Sequence, residues 1–283
     1  MANFALCIQG GGSRGSYAAG VLDVLMQEKI WADEVVGTSA GALIGCNYVS
    51  HNEGRSTKML LTMMRDRRFM KPSNFLTKGS VFDFRFMLYD LPNQGLPFDA
   101  AEFKDNPCKF YAVTTSCLDG KPRYFEKRDP DFWSAVAASA SLPLLSKPCH
   151  VHSEPFLDGG VSCPIGFEKA LQDHYEKIVV VCTRQKGYRK KRMMAGQRAL
   201  ARCLYRRYPA FLEAYRNSIV IYNRQMDLLE KLEAENKAFV IYPSLPPQIS
   251  HAEKNPKKIR ELILQGQNDA RRTLALLNGY LSK

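Results

Sequence analysis

Two glycine-framed turns, each entered from a short apolar run and left by a helix-like stretch, constrain this chain more than any other feature. Phe4-Ala5-Leu6-Cys7-Ile8 leads into Gly10-Gly11-Gly12-Ser13-Arg14-Gly15, and Glu34-Val35-Val36 leads into Gly37-Thr38-Ser39-Ala40-Gly41. Each apolar run reads as a short buried strand. Ser16 to Lys29 carries Ala19, Val21, Leu22, Leu25 and Met26 as an apolar stripe, and Ala40 to Val49 is rich in small residues, so both read as helices. Strand, helix, strand, helix in succession predicts βαβ units, and hence an α/β fold with a mainly parallel sheet covered on both faces. The two turns then aim two helix N-termini, a row of backbone N–H groups and one serine hydroxyl at one sheet edge. Acyl transfer needs that combination of a nucleophile and donors for an oxyanion.

Further strands are expected at Lys109–Thr115, Arg123–Phe125, Lys177–Cys182 and Lys237–Pro243, and further helices at 58–68, 133–141, 209–235 and over the last thirty residues. The stretch from Pro72 to Asp99 is irregular and aromatic. It reads as a long connection packed over the core, one that could also wall a binding cleft. With 283 residues and 45% apolar content the chain can bury a sizeable core. No run approaches the roughly 20 apolar residues of a membrane span, and the N-terminus lacks a basic signal-peptide region. A cytoplasmic location is the expectation. The eight cysteines are scattered without a Cys-x-x-Cys pair, as expected of buried thiols in a reducing compartment. Cys149-His150-Val151-His152 lacks a second ligand pair, so no metal site is expected.

The net charge of +12 is concentrated: residues 184–207 hold ten Lys/Arg and no acid. Such a segment attracts an anionic surface, either membrane or nucleic acid. It is expected to act apart from any active site, so that neutralising Lys190, Lys191 and Arg192 weakens vesicle binding and spares hydrolysis of a soluble ester.

Gly37-Thr38-Ser39-Ala40-Gly41 has the form of a nucleophile elbow, with Ser39 on the turn and small residues two before and two after it. Gly10 to Gly15 also fits a dinucleotide loop. That reading wants an acid at the end of the second strand, and Glu34 stands at its beginning. A phosphate loop would need Gly-Lys-Ser/Thr, which Arg14-Gly15-Ser16 does not supply. An oxyanion hole fits best. None of the histidines at 51, 150, 152, 174 and 251 stands in a distinctive catalytic turn. Asp158-Gly159-Gly160 offers a carboxylate on a tight turn instead.

Gly10–Gly15, Gly37–Gly41, Ala138-Ser139-Ala140-Ser141-Leu142-Pro143 and Asp158-Gly159-Gly160, in that order, closely resemble the patatin-like phospholipases, most of all the bacterial branch. The resemblance covers roughly residues 4 to 184. It implies a three-layer α/β sandwich and a Ser–Asp dyad in place of a triad, with Ser39 as nucleophile and Asp158 as base. It implies oxyanion donors from the loop of Gly10, Gly11, Gly12, Arg14 and Gly15, chiefly Gly11 and Gly12. The Ala40 N–H, next after the nucleophile, could add another donor. Where relatives often carry asparagine after the aspartate turn, this chain has Val161-Ser162-Cys163-Pro164.

The expected activity is hydrolysis of fatty acyl esters of lipids, without metal or organic cofactor. A transacylase sharing the acyl-enzyme and a non-catalytic adaptor for anionic membrane or nucleic acid are the alternatives. Intact Ser39 and Asp158 argue against the adaptor, and nucleic acid is not an expected partner. The expected organisation is a catalytic core at 1–184 and a basic, mainly helical part at 185–283 packed on the same domain.

Overall fold

The computed structural model describes residues 3–282, apart from the side chains at 64 and 65. Its strands are β1 (Phe4–Ile8), β2 (Glu34–Thr38), β3 (Lys109–Ser116), β4 (Pro122–Glu126), β5 (Cys149–Val151), β6 (Glu154–Asp158), β7 (Lys177–Val181) and β8 (Ala238–Ile241). The helices are α1 (Gly15–Gln27), α2 (Ala40–Val49), α3 (Arg55–Arg65), α4 (Asn74–Lys78), α5 (Ala100–Asp105), α6 (Phe132–Ser139), α7 (Phe167–Gln172), α8 (Ala195–Leu204), α9 (Pro209–Ala234) and α10 (Pro256–Leu281).

All strands join one sheet in the order β5-β6-β3-β2-β1-β7-β8, with β4 also on β3. The run from β3 through β2, β1 and β7 to β8 is parallel. The β3–β4, β3–β6 and β5–β6 pairs are antiparallel. The sheet is therefore mixed, with the expected parallel part at its centre.

Alternation along the strands makes the layers, because successive side chains point to opposite faces. Phe4, Leu6 and Ile8 of β1 and Val179 and Val181 of β7 join one core with α1, α2, α6 and α10. Ala5 and Cys7, with Ile178 and Val180, join the other core with α7 and α9. Each fully buried aliphatic side chain contributes about 1.5–3 kcal/mol relative to exposure, so a strand that feeds both cores is held from both sides.

The C-terminal part completes this architecture. Strand β8 extends the sheet beside β7. Helix α10 crosses α1 in backbone contact: a Cβ on Gly20 would stand 2.1 Å from the Ile263 carbonyl oxygen, and one on Gly266 would stand 2.1 Å from that of Tyr17. A third cluster joins Cys117, Leu157 and Val161 to Ala201, Tyr205, Phe211 and Leu212, which fixes α8 and α9 near the end of β6.

Residues 72–99 form α4, one π-helical turn and short irregular links, with Phe82 and Phe86 buried in the first core. All eight cysteines are unbridged. Six are buried, Cys149 is half-buried, and Cys203 is exposed on α8, against the expectation for a buried thiol. Among the described residues no group of three or more His, Cys, Asp or Glu is placed to hold a metal ion. Among the described residues no helix is long and apolar enough to cross a membrane.

Candidate active site

Strand register brings Ser39 to Asp158. Parallel pairing sets Thr38 opposite Val113 of β3, and antiparallel pairing sets Asp158 opposite Thr114, the next residue. Ser39 follows Thr38 at the end of β2 and so lies beside the end of β6. Its Oγ donates a 2.7 Å hydrogen bond to Asp158 Oδ2, and both residues are buried.

The elbow at Ser39 is a sterically forced conformation. Its φ of 57° and ψ of −123° are rare for a residue with a side chain and cost on the order of 1–3 kcal/mol. Close approach explains the flanking glycines. A Cβ on Gly37 would meet Ala42 Cα at 2.6 Å, and one on Gly41 would meet the Ile8 carbonyl oxygen at 2.2 Å. The Ser39 N–H donates to Ser139 Oγ at 2.8 Å, so the Ala138–Pro143 block braces the elbow.

Asp158 is held at every polar atom. Its Oδ1 accepts from the Gly160 N–H at 2.6 Å. Its own N–H donates to the Ser141 carbonyl at 3.0 Å. Its carbonyl accepts from Thr115 Oγ1 at 2.8 Å, and that hydroxyl also lies 2.8 Å from Ser162 Oγ. Ser162 belongs to the run that lacks the family asparagine, and it anchors the turn through Thr115. Gly159 lets the turn lie on β3, since a Cβ there would meet the Val113 carbonyl oxygen at 2.2 Å. Burial pushes the Asp158 carboxyl up to about 6; the Ser39 and Gly160 hydrogen bonds and the charge of Lys190 oppose that rise. A carboxylate poised near neutrality suits a general base.

The glycine loop divides into engaged and open donors. The Gly10 N–H points to the Pro164 carbonyl at 3.4 Å, the Arg14 N–H to the Gly11 carbonyl at 3.2 Å, and the Gly15 N–H to the Gly12 carbonyl. These three expected main-chain donors are already engaged, two of them inside the turn. The N–H groups of Gly11, Gly12 and Ala40 meet no acceptor among the described residues. Gly10 still matters, because a Cβ there would stand 2.8 Å from Ser39 Cβ.

Sequence reasoning missed a strap from the C-terminal part. The Ser13 N–H donates to the His251 carbonyl at 2.9 Å, and the Glu253 N–H to Ser13 Oγ at 3.0 Å. Gly12 lies beneath, with φ of +57°, where a Cβ would approach the His251 carbonyl oxygen to 2.4 Å. His251 lines the cleft rim, where burial of its ring and then the charges of Arg14, Lys190 and Arg184 lower its pKa. Among the described residues no histidine hydrogen-bonds to Ser39 or Asp158, and His174 stands exposed after α7.

A cleft of about 570 Å³ opens over Ser39 and Asp158. Leu142, Leu144, Leu145, Val161 and Ile219 give it an apolar side, and Arg14, Arg184 and Lys190 face it with positive charge. Tyr205 braces the apolar side, accepting from the Leu144 N–H at 2.9 Å and donating to the Ser146 carbonyl at 2.8 Å. No residue of 72–99 lines the cleft; Phe82, Phe84, Phe86 and Phe98 pack in or against the core instead, and Tyr89 is exposed.

The basic segment is likewise not one solvated surface. Arg184 and Lys190 to Arg192 line the cleft, Arg189 pairs with Asp227 and Glu230, and Arg198, Arg202, Arg206 and Arg207 are exposed. The expectation that Lys190, Lys191 and Arg192 act apart from the site therefore fails. The chain folds back over the sheet edge between β7 and α8, a path that a run of lysines and arginines does not reveal.

Residues 6–171 match the family model of patatin-like phospholipase, and residues 208–282 match that of a domain of unknown function, DUF6363. One relative is the uncharacterized protein YjjU of Escherichia coli K12, 29% identical over 63% of this chain and 51% of that protein. Another is triacylglycerol lipase ptl3 of Schizosaccharomyces pombe, 27% identical over 51% of this chain and 34% of that protein. Lysophospholipase nte1 of Aspergillus terreus is 29% identical over 55% of this chain and 10% of its own length. The chain thus spans about half or less of the curated relatives it matches. VipD from Legionella pneumophila shares the fold, with a TM-score of 0.50 at 12% identity, over 97% of this chain and 67% of that one. The first match runs through more than half of the sequence and takes in the glycine loop, the serine elbow and the aspartate turn that meet at the sheet edge: the chain belongs to the patatin-like phospholipase family.

Proposed function

We propose that this chain is a serine acyl hydrolase acting on ester-linked acyl chains of lipids. The observation that carries the reading is the 2.7 Å hydrogen bond from Ser39 Oγ, on a strained elbow, to a buried carboxylate. Ser39 Oγ attacks the acyl carbonyl carbon as its proton passes to Asp158 Oδ2. The oxyanion is met by the open N–H groups of Gly11, Gly12 and Ala40 at a helix N-terminus. Collapse expels the alcohol, which takes the proton from Asp158. Water then attacks the acyl-enzyme, gives its proton to Asp158, and the fatty acid leaves as Ser39 is restored.

The apolar cleft side fits an acyl chain, and the names of the lipase and lysophospholipase relatives support a lipid ester as substrate. Residues 1–184 carry the catalytic core in this reading, and 185–283 brace the glycine loop and wall the cleft. Exposed Met194, Leu200 and Leu204 stand among Arg198, Arg202 and Arg206 along and beside α8, whose Gln197 lines the cleft, and this mix suits peripheral contact with an anionic membrane. Unbridged cysteines suit a cytoplasmic setting. The test is incubation of wild type and Ser39→Ala with a mixed lipid extract, followed by mass spectrometry of fatty acids and lysolipids. Release by wild type alone supports the reading, and equal release by both defeats it.

A further inference from the structure

The cleft beside Ser39 is charged on one side only. Arg14, Arg184, Lys190, Lys191 and Arg192 line it, and Asp158 is its only carboxylate among the described residues. Arg14 comes from the start of α1, whereas Arg184 and Lys190 come from the segment after β7. None of these three pairs with a carboxylate among the described residues, although Arg189 in the same segment bonds Asp227 at 2.6 Å and Glu230 at 2.8 Å. Arg14 is only 7% exposed, and its Nε has no hydrogen-bond partner among the described residues. A buried guanidinium left unpaired is unfavourable unless a ligand supplies the acceptor.

Aromatic faces hold the other two cations without neutralising them. The Arg184 guanidinium lies 4.4 Å from the centroid of Tyr188, and Lys190 Nζ lies 4.5 Å from that of Tyr222. Burial, then repulsion from Arg184, lowers Arg14 to about 10. Burial, and repulsion from Arg14 and Arg184 against the pull of Asp158, lowers Lys190 to about 8. The cations therefore oppose one another until an anion enters.

We propose that Arg14, Arg184 and Lys190 form an anion subsite for the phosphate of a phospholipid whose head group bears no compensating cation. The inference rests on the reading of Ser39 as nucleophile, because it places the phosphate a few bonds from the attacked ester. A quaternary ammonium is disfavoured beside it. A cation already sits over each of Tyr188 and Tyr222, Lys191 and Arg192 would repel it, and Asp158 is occupied by Ser39.

The test uses monomeric substrates, so that attraction of a basic chain to a charged surface does not enter. Dihexanoyl phosphatidylglycerol, dihexanoyl phosphatidylcholine and dihexanoylglycerol are compared below their micelle concentrations. Wild type should show kcat/KM for the phosphatidylglycerol at least about tenfold above either other ester, the scale of one charge-assisted hydrogen bond. Arg184→Gln and Lys190→Gln should each lower that ratio several-fold, Arg184→Lys should restore most of it, and Arg271→Gln on the exposed side of α10 should leave it unchanged. Cleavage of dihexanoylglycerol in each variant shows that the ratio is read on folded protein.

A second arm measures inhibition of p-nitrophenyl butyrate hydrolysis by sn-glycerol 3-phosphate. Inhibition without head-group preference would assign the cations to a free anion and overturn the substrate assignment. Equal ratios in wild type, Arg184→Gln and Lys190→Gln would overturn the subsite. Undiminished cleavage of all three esters by Ser39→Ala would instead defeat the reading of Ser39.

Discussion

Replacing Asp158 by asparagine should remove activity and raise stability together. The carboxyl is buried and its pKa rises from the ordinary 3.8 to about 6. A carboxyl with a raised pKa holds its proton more tightly when folded, so its ionised form opposes folding. That cost is fully present above about pH 6 and vanishes below the unfolded value near 3.8. A rise of roughly two units corresponds to about 3 kcal/mol at neutral pH. Asparagine keeps the shape, its oxygen can still accept from the Gly160 N–H, and its NH2 can donate to Ser39 Oγ. The variant should therefore be more stable at pH 8 by up to about 3 kcal/mol, or roughly 5 °C for a chain of this length. At pH 4.5 the difference should shrink to about 1 kcal/mol. Loss of the base should cost a factor of about 10² to 10⁴ in ester hydrolysis. Calorimetry at the two pH values and a soluble-ester assay measure all three. A variant no more stable than wild type at pH 8, or a difference indifferent to pH, would refute the argument.

Other consequences follow from the same geometry. Wild-type kcat/KM should fall on the acid side with an apparent pKa near 6, since Asp158 must be ionised to accept the proton; a pH–rate profile checks this. Ser39→Gly should be more stable than Ser39→Ala by about 1 kcal/mol or more, because only glycine tolerates φ of 57° without strain; denaturant melts of the two inactive variants give the difference. Gly266→Ala should destabilise by about 1–3 kcal/mol, since the new Cβ forces α10 from the Tyr17 carbonyl and outweighs the helix propensity of alanine. Gly12→Ala should lower kcat more than it raises KM, because it displaces the His251 strap from the candidate oxyanion loop; steady-state kinetics separates the two.

Legibility in the sequence followed the range of each interaction. Gly37 and Gly41 flag the elbow because the close approaches they permit lie two residues either side of Ser39, and a local pattern records a local constraint. The burial of β1 and β7 is legible for the same reason, in their unbroken apolar runs, whereas the division of their side chains between two cores is not. Ser139 and Ser141 stand in a block that the family resemblance picks out, yet nothing local says that one accepts from Ser39 and the other from Asp158. Thr115 reads only as strand, because its bond to the Asp158 carbonyl depends on β3–β6 register. Lys190 and His251 are the least legible. Their roles depend on where a connection folds back over the sheet edge, and neither charge nor periodicity encodes that path. The aromatic segment 72–99 reads as a connection packed over the core, and it is one; its composition alone does not separate that from a cleft wall, since aromatic side chains suit both.

The central claim is that Ser39 is an activated nucleophile, and covalent labelling tests it most directly. A fluorophosphonate probe is incubated with wild type and with Ser39→Ala, and the modified peptide is located by mass spectrometry. The account predicts one adduct, on Ser39, formed in wild type and absent from the variant. Labelling of another serine, or labelling that survives Ser39→Ala, would contradict it.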